Sequence, residues 1–420
     1  MVATAPADST RPSLEVEATG ALPSGTTATS PSGSEVIADA LPGLDVPSTS
    51  SRMTAKPPPS TARLPRLPVP ALPATTTTRQ SCAPTAPAYI FGLARQSDGN
   101  GWATGADPAL LRSTDGGRTW APACLPASAV QGSGSLQSID FAADGRHGWV
   151  VGGSGGQALA LRTVDGGDHW LVSRLPDGIP GTLMDVDFAD ADHGWAVGAL
   201  TGSGPANAAG AVVLASPDGG TTWTVQSPPA GVGRLNRLSV VDAAHAWAVG
   251  VAADGKPALV ATSDGGVTWT SQALPPGVQE LRDVGFLNVE RGWAVGELPK
   301  GPTDEQSPGV VLTTVDGGAT WTQQATTTGD LWSLAVLDQT TVFAGGNRGL
   351  WSTRDGGVTW TKQPFALPAL DAISFTDADH GWVTHSMFST MCRTDDGGRT
   401  WLPSTVRNIP AVQPCTVALY

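Results

Sequence analysis

The chain has 420 residues, with 52 Gly, 35 Pro and 15 Trp beside only 15% charged residues, a balance that describes short strands and tight turns and excludes a helical bundle. The formal net charge is -13; residues 1–86 hold six basic and six acidic residues, so the whole excess lies beyond them. An acidic surface without a basic stripe excludes nucleic acid as partner.

Residues 1–86 come first and are of low complexity, with runs such as Lys56-Pro57-Pro58-Pro59 and Thr75 to Thr78. They offer no apolar periodicity from which to build a core, so a disordered leader or stalk is expected there. The chain has no apolar run of 18 residues or more, which predicts no transmembrane segment, and its first residues have neither a basic n-region nor an apolar h-region.

From about residue 87 one unit recurs. Its clearest mark is D-G-G-x-x-W, at Asp115, Asp165, Asp218, Asp264, Asp316, Asp355 and Asp396, in steps of 50, 53, 46, 52, 39 and 41 residues. Before each box stands Gly-Trp-Ala/Val-Val-Gly or a variant, around Trp102, Trp149, Trp195, Trp247, Trp293, Phe343 and Trp382, and before that a Leu-x-x-Ile/Leu/Val-x-Phe/Val strand, as in Leu136, Ile139 and Phe141. Tyr89 is expected at the leading Leu position of the first such strand. Units of this length with four strands are propeller blades, so the predicted fold is all-β, a seven-bladed β-propeller over 87–403 with four antiparallel strands per blade. Residues 404–420 are expected to pack on the ring or close it, with Val417 to Tyr420 as an added strand.

Each residue of S/T-x-D-G-G-x-T-W answers a need of a tight hairpin: Asp accepts backbone N–H groups, Gly supplies positive φ and Trp covers the apolar flank. The seven box aspartates therefore read as structural, and no metal or other cofactor is expected. His147, His193, His245 and His380 share one position, two residues before the Gly-Trp tryptophan, which reads as turn packing. Asp190-Ala-Asp192 and Asp377-Ala-Asp379 start like calcium loops but stop after one turn. Gly152-Gly-Ser154-Gly-Gly156 fits G-x-S-x-G but reads as a flexible loop between strands, with no following helix to make a nucleophile elbow.

The box is identified as the Asp-box, or bacterial neuraminidase repeat. Its pairing with Gly-Trp-Ala-Val-Gly resembles the photosystem II assembly and stability factor family of seven-bladed propellers over residues 88 to about 402. That resemblance implies a non-catalytic scaffold that binds a protein partner such as a membrane-protein subunit. Sialidases carry the same repeats away from their active site and use a tyrosine nucleophile; Tyr89 and Tyr420 are the only tyrosines here, and neither is placed for that role. Xyloglucanase-type hydrolases work in a cleft between two propellers, and one is present. Two further readings stay open: a cell-surface propeller that binds glycans or proteins, and a divergent glycosidase using channel-mouth carboxylates.

Loops that vary over a fixed scaffold usually carry recognition. On the face opposite the boxes, insertions fall at Thr201 to Gly210 and Glu297 to Gly309. Charged or bulky residues after the leading Leu, namely Met184, Asp185, Asn236, Arg237, Arg282, Asp283, Trp332 and Asp371, are candidates for the mouth of the central channel or for a solvated loop rim. Of these Trp332, Arg237, Arg282, Asp185, Asp283 and Asp371 are the candidate binding residues. Cys82, Cys124, Cys392 and Cys415 bracket the first and last repeats, suiting two disulfides at the chain ends and an extracytoplasmic location; the alternative is four isolated core thiols.

Overall fold

The computed structural model describes residues 80–82, 89–96, 98–130, 132–177, 179–201, 210–302, 305–365, 369–385 and 390–406. The expected leader lies almost wholly outside them, as do Cys415 and Val417 to Tyr420. Seven antiparallel four-stranded sheets follow one another along the chain, each built from consecutive strands in spatial order one to four. In blade two these are Gly134–Phe141, Gly148–Ser154, Gln157–Thr163 and Leu171–Val172, and in blade three Gly181–Phe188, Gly194–Leu200, Ala211–Ser216 and Thr224–Gln226. The described residues contain no helix.

No blade has a core of its own, because the buried side chains form clusters between neighbours. Trp149 and Val151 of blade two pack with Leu183, Phe188 and Trp223 of blade three. Equivalent clusters join blades one and two, three and four, four and five, five and six, and six and seven. The last joins Trp382 and Met391 of blade seven to Ile90 and Trp120 of blade one. Burial on both faces explains why strands such as Gly148–Ser154 lack polar alternation.

Both glycines of the Gly-Trp strand are dictated by close approach. A Cβ on Gly194 would stand 2.3 Å from the Phe188 ring, and one on Gly198 would stand 2.2 Å from the Thr182 carbonyl oxygen. The second approach arises because the innermost strand bulges there, with the register slipping between Leu183 and Asp185. The same slip recurs at Ile90/Gly92, Leu136/Ser138, Leu235/Arg237, Leu281/Asp283 and Leu331/Ser333.

The boxes do more than cap hairpins. Asp218 Oδ1 accepts the Ser216 hydroxyl at 3.0 Å and the Thr222 N–H at 2.9 Å, while Oδ2 accepts the Thr222 hydroxyl at 2.7 Å. All seven boxes repeat this pattern, with His169 replacing the threonine in blade two. Three boxes also receive the Gly-Trp indole of the preceding blade, from Trp149, Trp247 and Trp382. The Trp149 indole N–H donates to the Gly219 carbonyl at 2.9 Å, and its ring stacks on Phe188 with centroids 3.5 Å apart. Trp382 does the same across the seam, donating to the Gly116 carbonyl at 3.2 Å with Trp120 edge-on at 5.1 Å.

Ring closure uses a short parallel strand. Thr405–Val406 pairs with Thr119–Trp120, with the Thr405 N–H donating to the Arg118 carbonyl at 2.8 Å. Cys124 and Cys392 are both disulfide-bonded, and Cys82 stands opposite Cys124 in the pairing of Gln80–Cys82 with Cys124–Pro126.

Two expectations need correction. Ile90, fully buried, fills the leading position of the first inner strand, while Tyr89 is 46% exposed; the bulge at Ile90/Gly92 sets that register. Gly152 to Ser154 belong to strand Gly148–Ser154, and a Cβ on Gly152 would lie 2.0 Å from the Ser135 carbonyl oxygen. That glycine is there for the bulge.

Candidate functional site

The bulges build the site. A regular strand would place leading Leu and following Ile two apart on one face, but Leu-x-x-Ile spaces them by three, so in six of the seven blades one residue is squeezed out of the ladder. Those residues are Phe91, Gln137, Met184, Asn236, Arg282 and Trp332, joined by Asp371 in blade seven, and together they line a cavity of about 410 Å3 at the channel mouth. Being at the start of the inner strands, they lie on the face opposite the box turns. Arg282 Nη2 is 3.0 Å from Glu280 Oε2, and Arg234 Nη2 lies 3.6 Å from Glu280 Oε1. The half-buried Trp332 donates its indole N–H to Asp330 Oδ2.

The residues immediately after the bulges turn inward below the mouth, and Arg237 lines the mouth cavity as well. Asp185, Arg237 and Asp283 line a second cavity of about 370 Å3 inside the channel, together with Asp140 and Asp187. Asp185 and Asp283 are each 8% exposed, so neither is a solvated rim residue. Their role follows from the inner strands being sheet edges with backbone N–H groups unpaired on one side. Asp185 Oδ2 accepts the Leu238 N–H at 2.8 Å and Asp283 Oδ2 the Leu334 N–H at 2.7 Å, each from the next blade. Ser333 continues this tier toward Ile373 at 3.2 Å. One step deeper, Asp140 Oδ2 accepts the Phe188 N–H at 3.0 Å, Asp187 Oδ2 the Val240 N–H at 2.7 Å and Ser239 Oγ the Phe286 N–H at 2.9 Å.

Asp140, Asp187, Ser239 and Ser333 were not among the candidates from sequence. Their signal is period two: Asp185 and Asp187 flank the buried Val186 and so share the channel face. Burial pushes the Asp140 carboxyl up to about 6 and the Asp283 carboxyl up to about 7, the latter despite the neighbouring Arg237 guanidinium. Burial likewise raises Asp185, and raises Asp187 well above the ordinary carboxylate range, with the Asp140 charge adding to the effect.

The other predicted positions fall outside the channel. Each turn histidine places Nδ1 beside the aspartate three residues earlier, as His147 does with Asp144 at 2.6 Å, and that aspartate also accepts two turn N–H groups. Asp190 and Asp377 do the same for His193 and His380. Residues 202–209 of the blade-three insertion lie outside the described residues. In blade five, Glu305 and Gln306 hold Arg348 of blade six, with Gln306 Oε1 3.0 Å from Arg348 Nε. No group of three or more His, Cys, Asp or Glu among the described residues is arranged to hold a metal ion.

Fold and site define a repeat-built seven-bladed β-propeller with a lined channel mouth. Residues 84–183 match a family model described as the photosynthesis system II assembly factor YCF48. The photosystem II stability/assembly factor HCF136, chloroplastic, of Arabidopsis thaliana is 32% identical over 85 residues, which are 20% of this chain and 20% of that protein, so the match spans about a fifth of the relative's length. Among solved structures, YCF48 bound to a D1 peptide superposes with a TM-score of 0.54 at 20% identity, covering 75% of this chain and 96% of that one. YCF48 from Cyanidioschyzon merolae gives 0.55 at 19% identity over 75% and 98% of the two chains. The Niastella koreensis GH74 enzyme gives 0.55 at 14% identity, over 78% and 55%. At these identities the likeness to solved structures shows the fold alone.

Proposed function

We propose that this chain is a non-catalytic scaffold that binds a segment of a protein partner in the channel mouth, on the face opposite the boxes. The observation that carries the reading is the ring at the mouth: a bulge side chain from each of six blades and Asp371 from the seventh, differing in every blade, over a framework of nearly identical repeats. Trp332 and Met184 offer apolar anchorage while Arg282 and Asn236 offer donors, a mixture suited to a peptide with both apolar and acceptor groups. The similarity of residues 84–183 to YCF48, and a neighbouring fold captured with a D1 peptide, support a membrane-protein subunit as partner. The bonded Cys124 and Cys392 support an extracytoplasmic location.

A glycosidase would need carboxyl groups open to substrate on both sides of a glycosidic bond. Asp185 and Asp283 are instead buried against backbone amides of the next blade, which favours the scaffold reading. The test is a photo-crosslinker placed at position 332 and, as control, at Arg118 on the box face, followed by affinity measurement with the captured segment. Trp332→Ala is expected to weaken binding at least tenfold, the ~2 kcal/mol typical of a buried tryptophan anchor, with the fold unchanged. Crosslinks from position 118 alone, or binding of glycans but no peptide, would overturn the reading.

A further inference from the structure

Five charged groups face one another inside the channel: the carboxyls of Asp140 in blade two, Asp185 and Asp187 in blade three and Asp283 in blade five, and the guanidinium of Arg237 in blade four. Blades one, six and seven contribute residues such as Leu93, Ser333 and Ala372, none of them charged. All four carboxyls accept an N–H from the following blade at 2.7 to 3.0 Å, and the Ser138 hydroxyl also serves Asp185. Arg237 Nη1 donates to its neighbour's carbonyl, Asn236 O, at 3.0 Å.

A protonated carboxyl keeps acceptor capacity for a backbone N–H and gains one O–H donor. Protonation therefore preserves every inter-blade bond while removing like charge from a cavity with one cation to four carboxyls. Ionisation keeps the same bonds but forces like charges together where water screens them poorly.

We propose that the channel is a pH-operated clamp, in which Asp140, Asp185, Asp187 and Asp283 hold blade two to three, three to four and five to six tightly when protonated and loosen these junctions when they ionise together. The sign follows from proton counting. In the unfolded chain these groups titrate near pH 4, whereas burial holds Asp140 up at about 6 and Asp283 at about 7 in the folded protein. The folded state then binds more protons across that window, so stability is greatest at its acid end and is lost as pH rises through about 6 to 7. This inference is independent of what the mouth binds.

The experiment is thermal unfolding of the full chain from pH 5 to pH 8.5 at constant ionic strength. Wild-type protein is expected to lose roughly 5 °C or more in Tm across that range. Asp283→Asn keeps an acceptor for Leu334 and never ionises; its Tm should exceed wild type at pH 8 and its slope should be shallower, with Asp187→Asn behaving likewise toward Val240. Asp283→Ala loses the acceptor and should melt lower than wild type at both ends. The Asn variants also separate the channel from the turn histidines, which lie on the box-side turns and are unchanged in them. A Tm that is flat or rises with pH, or Asn variants that fall as far as Asp283→Ala at pH 8, would overturn the clamp.

Discussion

A methyl group on Gly194 would enter the Phe188 ring, and a side chain on the second box glycine of blade three would meet the preceding blade's tryptophan: a Cβ on Gly220 would lie 2.6 Å from Trp149 Cδ1. At the residue scale, then, the repeated motifs record contacts between blades as much as turns within them. The box aspartate serves its own hairpin. Asp218→Ala would strand the Thr222 N–H and hydroxyl and the Ser216 hydroxyl together, at a turn exposed enough for water to replace part of what is lost. A destabilisation of about 1 to 2 kcal/mol is expected in denaturant titration, with affinity for the mouth ligand unchanged; unaltered stability with lost affinity would refute the structural role. The sequence made the box chemistry legible because turn residues answer to local geometry. It did not reveal that Trp149 donates across the blade boundary, since a partner 70 residues away leaves no local trace.

The closing element is Thr405–Val406. Val406 is 4% exposed and packs with Trp120, Trp382 and Met391, so it belongs to the seam between blades seven and one. Two residues carry no readable period, so nothing in the sequence marks Thr405–Val406 as the closing strand. Val406→Asp should place a charge in that apolar seam and open it. Hydrogen exchange is expected to quicken in Ala109–Ser113 and Thr390–Thr394 while blade four stays protected; equal loosening of every blade would show that the seam is not a separate unit. The bulged inner strands are the opposite case. Their Leu-x-x-Ile spacing was visible throughout, and its extra residue is the bulge, but the spacing alone does not say which of the two intervening side chains goes to the mouth and which into the channel.

Across the whole molecule two sets of carboxyls pull stability in opposite directions with pH. Those of the channel weaken the fold as they ionise, while the turn carboxyls strengthen it: the Thr359 hydroxyl and N–H hold Asp355 at about 2, and Thr340 does the same for Asp338. Their folded values lie below the unfolded ones, so their contribution is present above about pH 4 and is lost as pH falls toward 2. Thermal unfolding between pH 2 and pH 4 should show Tm rising with pH, and replacing Asp338 and Asp355 together by Asn should make that limb shallower; a limb unchanged by the double substitution would remove these two turns from the acid response. Seven repeats were countable from the boxes alone, so the architecture was the most legible level. The channel charge was the least, because it emerges only when strands from four blades face one axis.

Because every blade is made of consecutive residues and the ring is fastened by Thr405–Val406, synthesis and assembly run in the same direction. As the chain leaves the ribosome, blades two to six can dock in order, each onto the blade before it. Trp120, however, has to wait for its partner Trp382, translated more than 250 residues later. Until then the seam face of blade one, with Ile90 and Trp120, lacks the blade-seven side chains Trp382 and Met391 that bury it in the finished ring.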